Sequence, residues 1–151
     1  MIAMANNEAS RLVLRKDVAE LKRLAGWIEG FTRKRTSPDV SFAVQLCLEE
    51  AVANIIMYGG ARDDPLEIAV ELERNGGNLV ARIEDNGRQF DPTRAPAPVP
   101  ARSLEEAKIG DVGIHLMRSF ATGMDYERRN GRNRLTLRFV EPPVPPAERS
   151  R

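Results

Sequence analysis

The segment bracketed by Ser37-Pro38-Asp39 and Gly59-Gly60 constrains the fold of this chain more than any other. Ser37 is a capping residue type, and a proline after it has φ preset and no N–H to lose, so the pair predicts a helix start. The two glycines predict its end after Tyr58. From Phe42 to Met57 the only polar side chains are Gln45, Glu49, Glu50 and Asn54. At about 100° per residue Gln45 and Glu49 share one face, whereas Glu50 and Asn54 form a second pair centred about 140° away. One pair is expected to be solvated and the other not. A carboxylate beside an amide on an apolar face is costly to bury unless a ligand, metal or partner satisfies it. The helix alone equally admits a plainer reading, in which both pairs are half-exposed polar edges.

The segments around this helix read as a sandwich of helices and paired strands. Arg11 to Arg15 alternates around Leu12, Val13 and Leu14, and Asp17 opens a helical run through Val18, Leu21, Leu24 and Ile28. Leu66, Ile68, Val70 and Leu72 alternate with charged or small residues, and Asn75-Gly76-Gly77-Asn78 turns the chain into Leu79 to Glu84. A third helix is expected within Ile109 to Gly123, followed by a hairpin around Asn130-Gly131 from Tyr126 to Phe139. These elements predict an α+β fold, a two-layer sandwich with a mixed, mostly antiparallel sheet covered by about three helices. Between the first strand pair and the third helix, from Phe90 to Ser103, Pro92, Pro96, Pro98 and Pro100 rule out a sheet ladder and predict a long mobile loop.

With 151 residues, 42% of them hydrophobic and 30% charged, the chain fits one compact domain, placed at residues 10–141 with flexible tails at 1–9 and 142–151. A net charge of +1, with Lys and Arg spread along the chain, argues against nucleic-acid binding. The lone Cys47 lies in an apolar stretch and reads as core packing in a reducing compartment. No apolar run is read as a membrane span of roughly 20 residues, and the N-terminus lacks a signal-peptide pattern, so a cytoplasmic protein without membrane contact is expected. His115, the only histidine, reads as helix packing, and Arg33-Lys34-Arg35 as a solvated loop.

Two further segments carry chemistry. Glu84-Asp85-Asn86-Gly87 places a carboxylate at a strand end with a glycine two residues on, where backbone can approach a flat ligand closely; alone, it is an ordinary turn. Gly110-Asp111-Val112-Gly113 precedes a helix, whose N-terminal amides suit phosphate oxygens; alone, it equally reads as a capping turn. Taken in order, Glu50-Ala51-Val52-Ala53-Asn54, Asp85-Asn86-Gly87 and Gly110 to Arg118 resemble the N, G1 and G2 boxes of the GHKL ATPases. The resemblance runs from about Leu12 to Val140. The short spacing and the lead-in Leu46-Cys47-Leu48-Glu49-Glu50 resemble the bacterial anti-sigma-factor serine/threonine kinases.

That resemblance implies ATP and Mg²⁺ as cofactors. It makes Asn54 a magnesium ligand, Glu50 the general base, Glu49 a bystander and Asp85 the acceptor for the adenine amino group. Gly87 would give the base room, Phe90 to Ile109 would form a lid, and Gly110, Val112 and Gly113 would face the phosphates, with Lys108 and Arg102 as weaker lid candidates. Asp111 departs from the family, which commonly has glycine there. The implied reaction phosphorylates a Ser or Thr of a STAS-domain anti-anti-sigma protein, coupled to exchange of a sigma factor or other output protein. A homodimer is implied too, with Trp27, Phe31 and the first-helix stripe as either core or interface. The alternative is a nucleotide-dependent binding module that sequesters a partner without phosphotransfer.

Overall fold

A computed structural model of the protein describes residues 7–60, 65–94 and 111–142. Among the described residues five strands form one sheet in the order β1-β2-β3-β5-β4. They are β1 Asn7–Leu14, β2 Ile68–Asn75, β3 Asn78–Asp85, β4 Gly123–Arg129 and β5 Arg132–Val140. Among the described residues all four pairings are antiparallel, with no parallel pair of the kind a mixed sheet contains. The reason is positional: β5 folds back from β4 and takes the place beside β3, which keeps β3 and β4 from pairing. Both tight turns use left-handed backbone, at Gly76 (φ 62°) and at Asn130 and Gly131 (φ 53° and 74°), as two-residue hairpins require.

Among the described residues three α-helices, α1 Glu20–Thr32, α2 Pro38–Tyr58 and α3 Asp111–Phe120, form the second layer. The alternation read from the sequence sets the sheet's faces. Leu12, Leu14, Ile68, Val70, Leu72, Leu79, Ala81, Ile83, Leu135, Leu137 and Phe139 point inward and are buried. The opposite face is charged, with Arg82 bridging Glu71 and Glu73 across β2 and β3 at 3.2 and 2.9 Å. Helix α2 runs between α1 and α3. The Ser37 Oγ accepts from Val40 N at its start, and the Ser37 amide donates to Glu141 just past β5 at 2.6 Å. By length and composition α2 could cross a membrane, contrary to the sequence expectation, yet Val44, Cys47, Leu48 and Val52 are fully buried as in a core helix. Where α2 meets α3, Phe42 and Phe120 pack edge to face at 6.0 Å.

Several local expectations shift. The first strand begins at Asn7 and ends at Leu14, and α1 begins at Glu20 rather than Asp17. Asp17 instead accepts from the Ala19 amide in a tight turn, which leaves Val18 62% exposed. Arg35 is not a free loop cation: its guanidinium lies 4.6 Å from the Phe31 ring centroid and pairs with Glu8. Phe31 is core, and Trp27 packs against the core while donating to Ser10 Oγ at 3.0 Å.

Candidate functional site

Spacing along α2 puts Ala51, Asn54, Ile55 and Tyr58 on one stripe, and this stripe forms one wall of a cavity of about 560 Å³. Ile83 and Asp85 close it from β3, Ile114 and Met117 from α3, and Tyr126, Asn133 and Leu135 from the β4–β5 hairpin. The walls are largely apolar with a few polar groups turned inward, and the volume lies in the range of small-molecule sites.

Asp85 is the buried charge of this cavity, 4% exposed. Its Oδ1 accepts from the Gly87 amide at 2.9 Å and from Asn133 Nδ2 at 3.0 Å. Among the described residues Oδ2 has no hydrogen-bond partner, which leaves it as the acceptor offered to a ligand. Burial pushes the Asp85 carboxyl above its ordinary value, opposed by the Asn133 and Gly87 hydrogen bonds and by the Arg128 and Arg132 charges. Asn133, 6% exposed, donates also to the Arg88 carbonyl at 2.8 Å. Its Oδ1 accepts from Arg128 Nη1 at 3.1 Å, from the Phe90 amide at 3.4 Å and from the Tyr126 hydroxyl. Burial, foremost, raises the Tyr126 phenol, so the hydroxyl keeps the proton it donates.

The strand end that carries Asp85 is fastened to the C-terminus of α2. The Arg88 guanidinium donates twice to the Tyr58 carbonyl, at 2.9 and 2.6 Å, and the Arg88 amide donates to the Gly59 carbonyl at 2.6 Å. A cation on the last carbonyls of a helix satisfies orphan acceptors and suits the negative end of its dipole. Arg128 adds a bond to the Gly87 carbonyl at 2.8 Å. A Cβ at Gly87 would lie 2.1 Å from the Gly59 carbonyl oxygen. The glycine is therefore demanded by the approach of α2, and Gly87 is not among the cavity-lining residues, a different reason from the room for a ligand expected of it.

Of the residues singled out in the sequence, Asn54 and Asp85 line the same cavity. Asn54 makes no side-chain hydrogen bond among the described residues, whereas Glu50, half-buried one helical turn earlier, does not line the cavity. The predicted contrast between the two polar pairs of α2 is absent: Gln45, Glu49, Glu50 and Asn54 are all half-buried, because α1 and α3 each cover one flank of the helix. Val112 and Gly113 fall in the first turn of α3, which Asp111 opens. Gly110, Lys108, Arg102 and the expected loop beyond Arg94 lie outside the described residues. His115 is exposed rather than packed, since the inward positions of α3 are Ile114 and Met117. Cys47 is fully buried, and burial pushes its thiol up to about 12, as a core cysteine requires. The sequence reading missed Asn133, Tyr126 and Arg128. The alternation of β5 held the signal for Asn133, which is in phase with inward Leu135, Leu137 and Phe139.

Comparisons with known proteins bear on the family and the fold. The family described as histidine kinase-like ATPase domain matches residues 14–139. The serine/threonine-protein kinase BtrW of Bordetella bronchiseptica is 38% identical over 112 residues, 74% of this chain and 79% of that protein. The solved RsbU and RsbW domains of Rv1364c from Mycobacterium tuberculosis are similar with a TM-score of 0.64 at 14% identity, covering 88% of this chain and 32% of that one. A histidine kinase domain from the blue-light activated kinase EL346 of Erythrobacter litoralis gives a TM-score of 0.52 at 13% identity, covering 84% and 61%. At such identities these two structures speak for the fold alone, and this chain spans only part of each. The family match runs from the last residue of β1 to the last inward residue of β5, and the chain belongs to the histidine kinase-like ATPase domain family of the GHKL superfamily.

Proposed function

We propose that this chain is an ATP-dependent serine/threonine protein kinase of the anti-sigma-factor kind, acting on a STAS-domain antagonist and exchanging partners with a sigma factor or other output protein. The observation that carries the nucleotide reading is Asp85: a buried carboxylate at an apolar cavity with Oδ1 engaged and Oδ2 open. That is the chemistry an adenine amino group meets, whereas the guanine carbonyl would face an acceptor. The apolar side chains of Ile55, Ile83, Ile114 and Met117 suit a flat base.

Asn54, on the α2 wall and free of side-chain partners among the described residues, fits a single amide ligand to Mg²⁺. Among the described residues no cluster of three or more His, Cys, Asp and Glu gathers that would hold a metal unaided, and Mg²⁺ bound through phosphates and water needs none. When bound, the ion neutralises charge developing on the phosphates. The amides in the first turn of α3, Val112 and Gly113 among them, suit phosphate oxygens. Glu50 precedes Asn54 by one turn and lies outside the cavity lining, where an incoming protein hydroxyl would approach, and in this role it takes that hydroxyl's proton. The 38% identity to a protein named as a serine/threonine kinase supports transfer to a protein hydroxyl. In this reading the chain works in the cytoplasm as a homodimer, with residues 10–141 as its ATP-binding domain.

One feature favours a binding module without transfer: Asp111, a carboxylate where the family commonly has glycine, opens α3. Transfer of labelled γ-phosphate from ATP with Mg²⁺ to a purified STAS-domain protein separates the readings. The kinase reading predicts label on the STAS protein and a loss of roughly 100-fold or more in Glu50→Gln, with ATP affinity unchanged, since only the base is removed. ATP binding with no transfer by the wild-type chain to any STAS protein tried would sink it in favour of the binding module.

A further inference from the structure

We infer that Asn133 is the positioning residue for base recognition: its side-chain amide is locked in one orientation, which pins Asp85 by Oδ1 and presents Oδ2 to the ligand. This rests on the proposed reading of Asp85 as the adenine contact. The two ends of an asparagine amide have nearly the same shape, so only its neighbours decide which end is nitrogen. On one side of Asn133 stand Asp85 Oδ1 and the Arg88 carbonyl, at 3.0 and 2.8 Å, and neither an ionised carboxylate nor a carbonyl can donate. On the other stand Arg128 Nη1 and the Phe90 amide, at 3.1 and 3.4 Å, which can only donate. Turning the amide over would set acceptor against acceptor twice and donor against donor twice, in a place where both Asn133 and Asp85 are almost fully buried. The Tyr126 hydroxyl, able to do either, donates and completes the set.

The consequence passes through Asp85. With Oδ1 held by Asn133 and by the Gly87 amide, the carboxylate has no freedom to swing its open oxygen away from the cavity. Asn133 also opposes the effect of burial on the carboxyl, together with Arg128 from β4 and Arg132 from β5. Of the other titratable groups nearby, Tyr126 from β4 carries no charge at neutral pH, and Asp91 acts on Tyr126. Protonation of Asp85 places a donor against the adenine amino group, so ATP affinity falls as pH drops through its carboxyl range. Loss of the Asn133 donor moves that fall to higher pH.

The test measures ATP and GTP binding with Mg²⁺ by the full chain from about pH 5 to pH 8, comparing the wild type with Asn133→Asp and Tyr126→Phe and checking folding by thermal unfolding. Asn133→Asp keeps the shape but turns the donor into a second carboxyl facing Asp85. ATP affinity near neutral pH is expected to drop about tenfold or more, with the acid limb moved to higher pH and the preference over GTP reduced. Tyr126→Phe removes a donor to Asn133 Oδ1 but not a group that fixes which end of the amide is nitrogen, so its acid limb is expected to move less than that of Asn133→Asp. A folded Asn133→Asp chain with wild-type affinity and pH profile overturns the inference and leaves the reading of Asp85 standing. Weaker binding with an unmoved acid limb overturns it too, as a packing role alone gives that result. Should Asn133→Asp not fold, Asn133→Ala, which removes the donor to Asp85 without adding a charge, takes its place, and an acid limb unmoved from the wild type there is decisive against it. A wild-type chain with no preference for ATP over GTP instead sinks the reading of Asp85, and the inference with it.

Discussion

At the scale of single residues, Asp85 is the group whose substitution separates binding from stability. Asp85→Asn preserves an oxygen for the Gly87 amide and the Asn133 donor, and replaces the open acceptor by an amino donor. ATP affinity should fall about tenfold or more, and the preference between ATP and GTP should narrow or invert in binding titrations. Stability moves the other way. Burial raises the Asp85 carboxyl in the folded state, so its stabilising contribution is present in acid and is lost as pH rises through the folded-state value. Asp85→Asn should therefore unfold at a higher temperature than the wild type at neutral pH, and the gap should close toward acid in a pH series of thermal scans. Asp85 was legible only from the order of the three segments that resemble the GHKL boxes, since Asp85-Asn86-Gly87 by itself reads as an ordinary turn. Asn133 was not: two residues after Asn130-Gly131 it reads as turn chemistry, and only the strand phase tells that it points inward. Tyr126 and Arg128 lie in the hairpin read from Asn130-Gly131, but they acquire meaning only where β5 sets that hairpin beside β3, which local sequence does not specify.

At the scale of elements, α2 and the end of β3 meet backbone to backbone beside the cavity. A methyl at Gly87 would lie 2.1 Å from the Gly59 carbonyl oxygen, so Gly87→Ala must push the strand end from the helix. A cost of about 1–3 kcal/mol is expected from such overpacking, read by denaturant unfolding, together with weaker ATP binding because Asp85 shifts with the backbone. A mutant as stable as the wild type would show that the junction yields. The elements themselves were legible wherever a period was strong: the inward alternation of β2, β3 and β5, and the capped start of α2 at Ser37. The start of α1 was misread because Asp17 serves a turn just as well as a cap, and the turn forms. The contrast expected between the polar pairs of α2 failed for a tertiary reason, since the periodicity of one helix does not reveal that neighbours cover both its flanks.

For the molecule as a whole, the helices share one face of the sheet while the other carries cross-strand ion pairs. Nucleotide binding to this single layered core should register as global stabilisation. At a free concentration of 100 times the dissociation constant, ATP with Mg²⁺ should add about 2.7 kcal/mol, which raises the unfolding temperature by roughly 5–10 °C for a chain of this size. GTP at the same concentration should raise it much less, and equal shifts would contradict the role given to Asp85.

The fastening of β3 to α2 has a mechanical consequence for the proposed chemistry. Asn54 lies one turn before Tyr58, whose carbonyl is held by Arg88, three residues beyond Asp85. The groups proposed for the two ends of the nucleotide thus ride on one stiff bracket, closed by the Arg88 amide on Gly59 and by Arg128 on the Gly87 carbonyl. Such a bracket works as a caliper of fixed span. A molecule seated on Asp85 has its phosphates delivered at a set distance along α2, so the base that is recognised also fixes where the transferable group arrives.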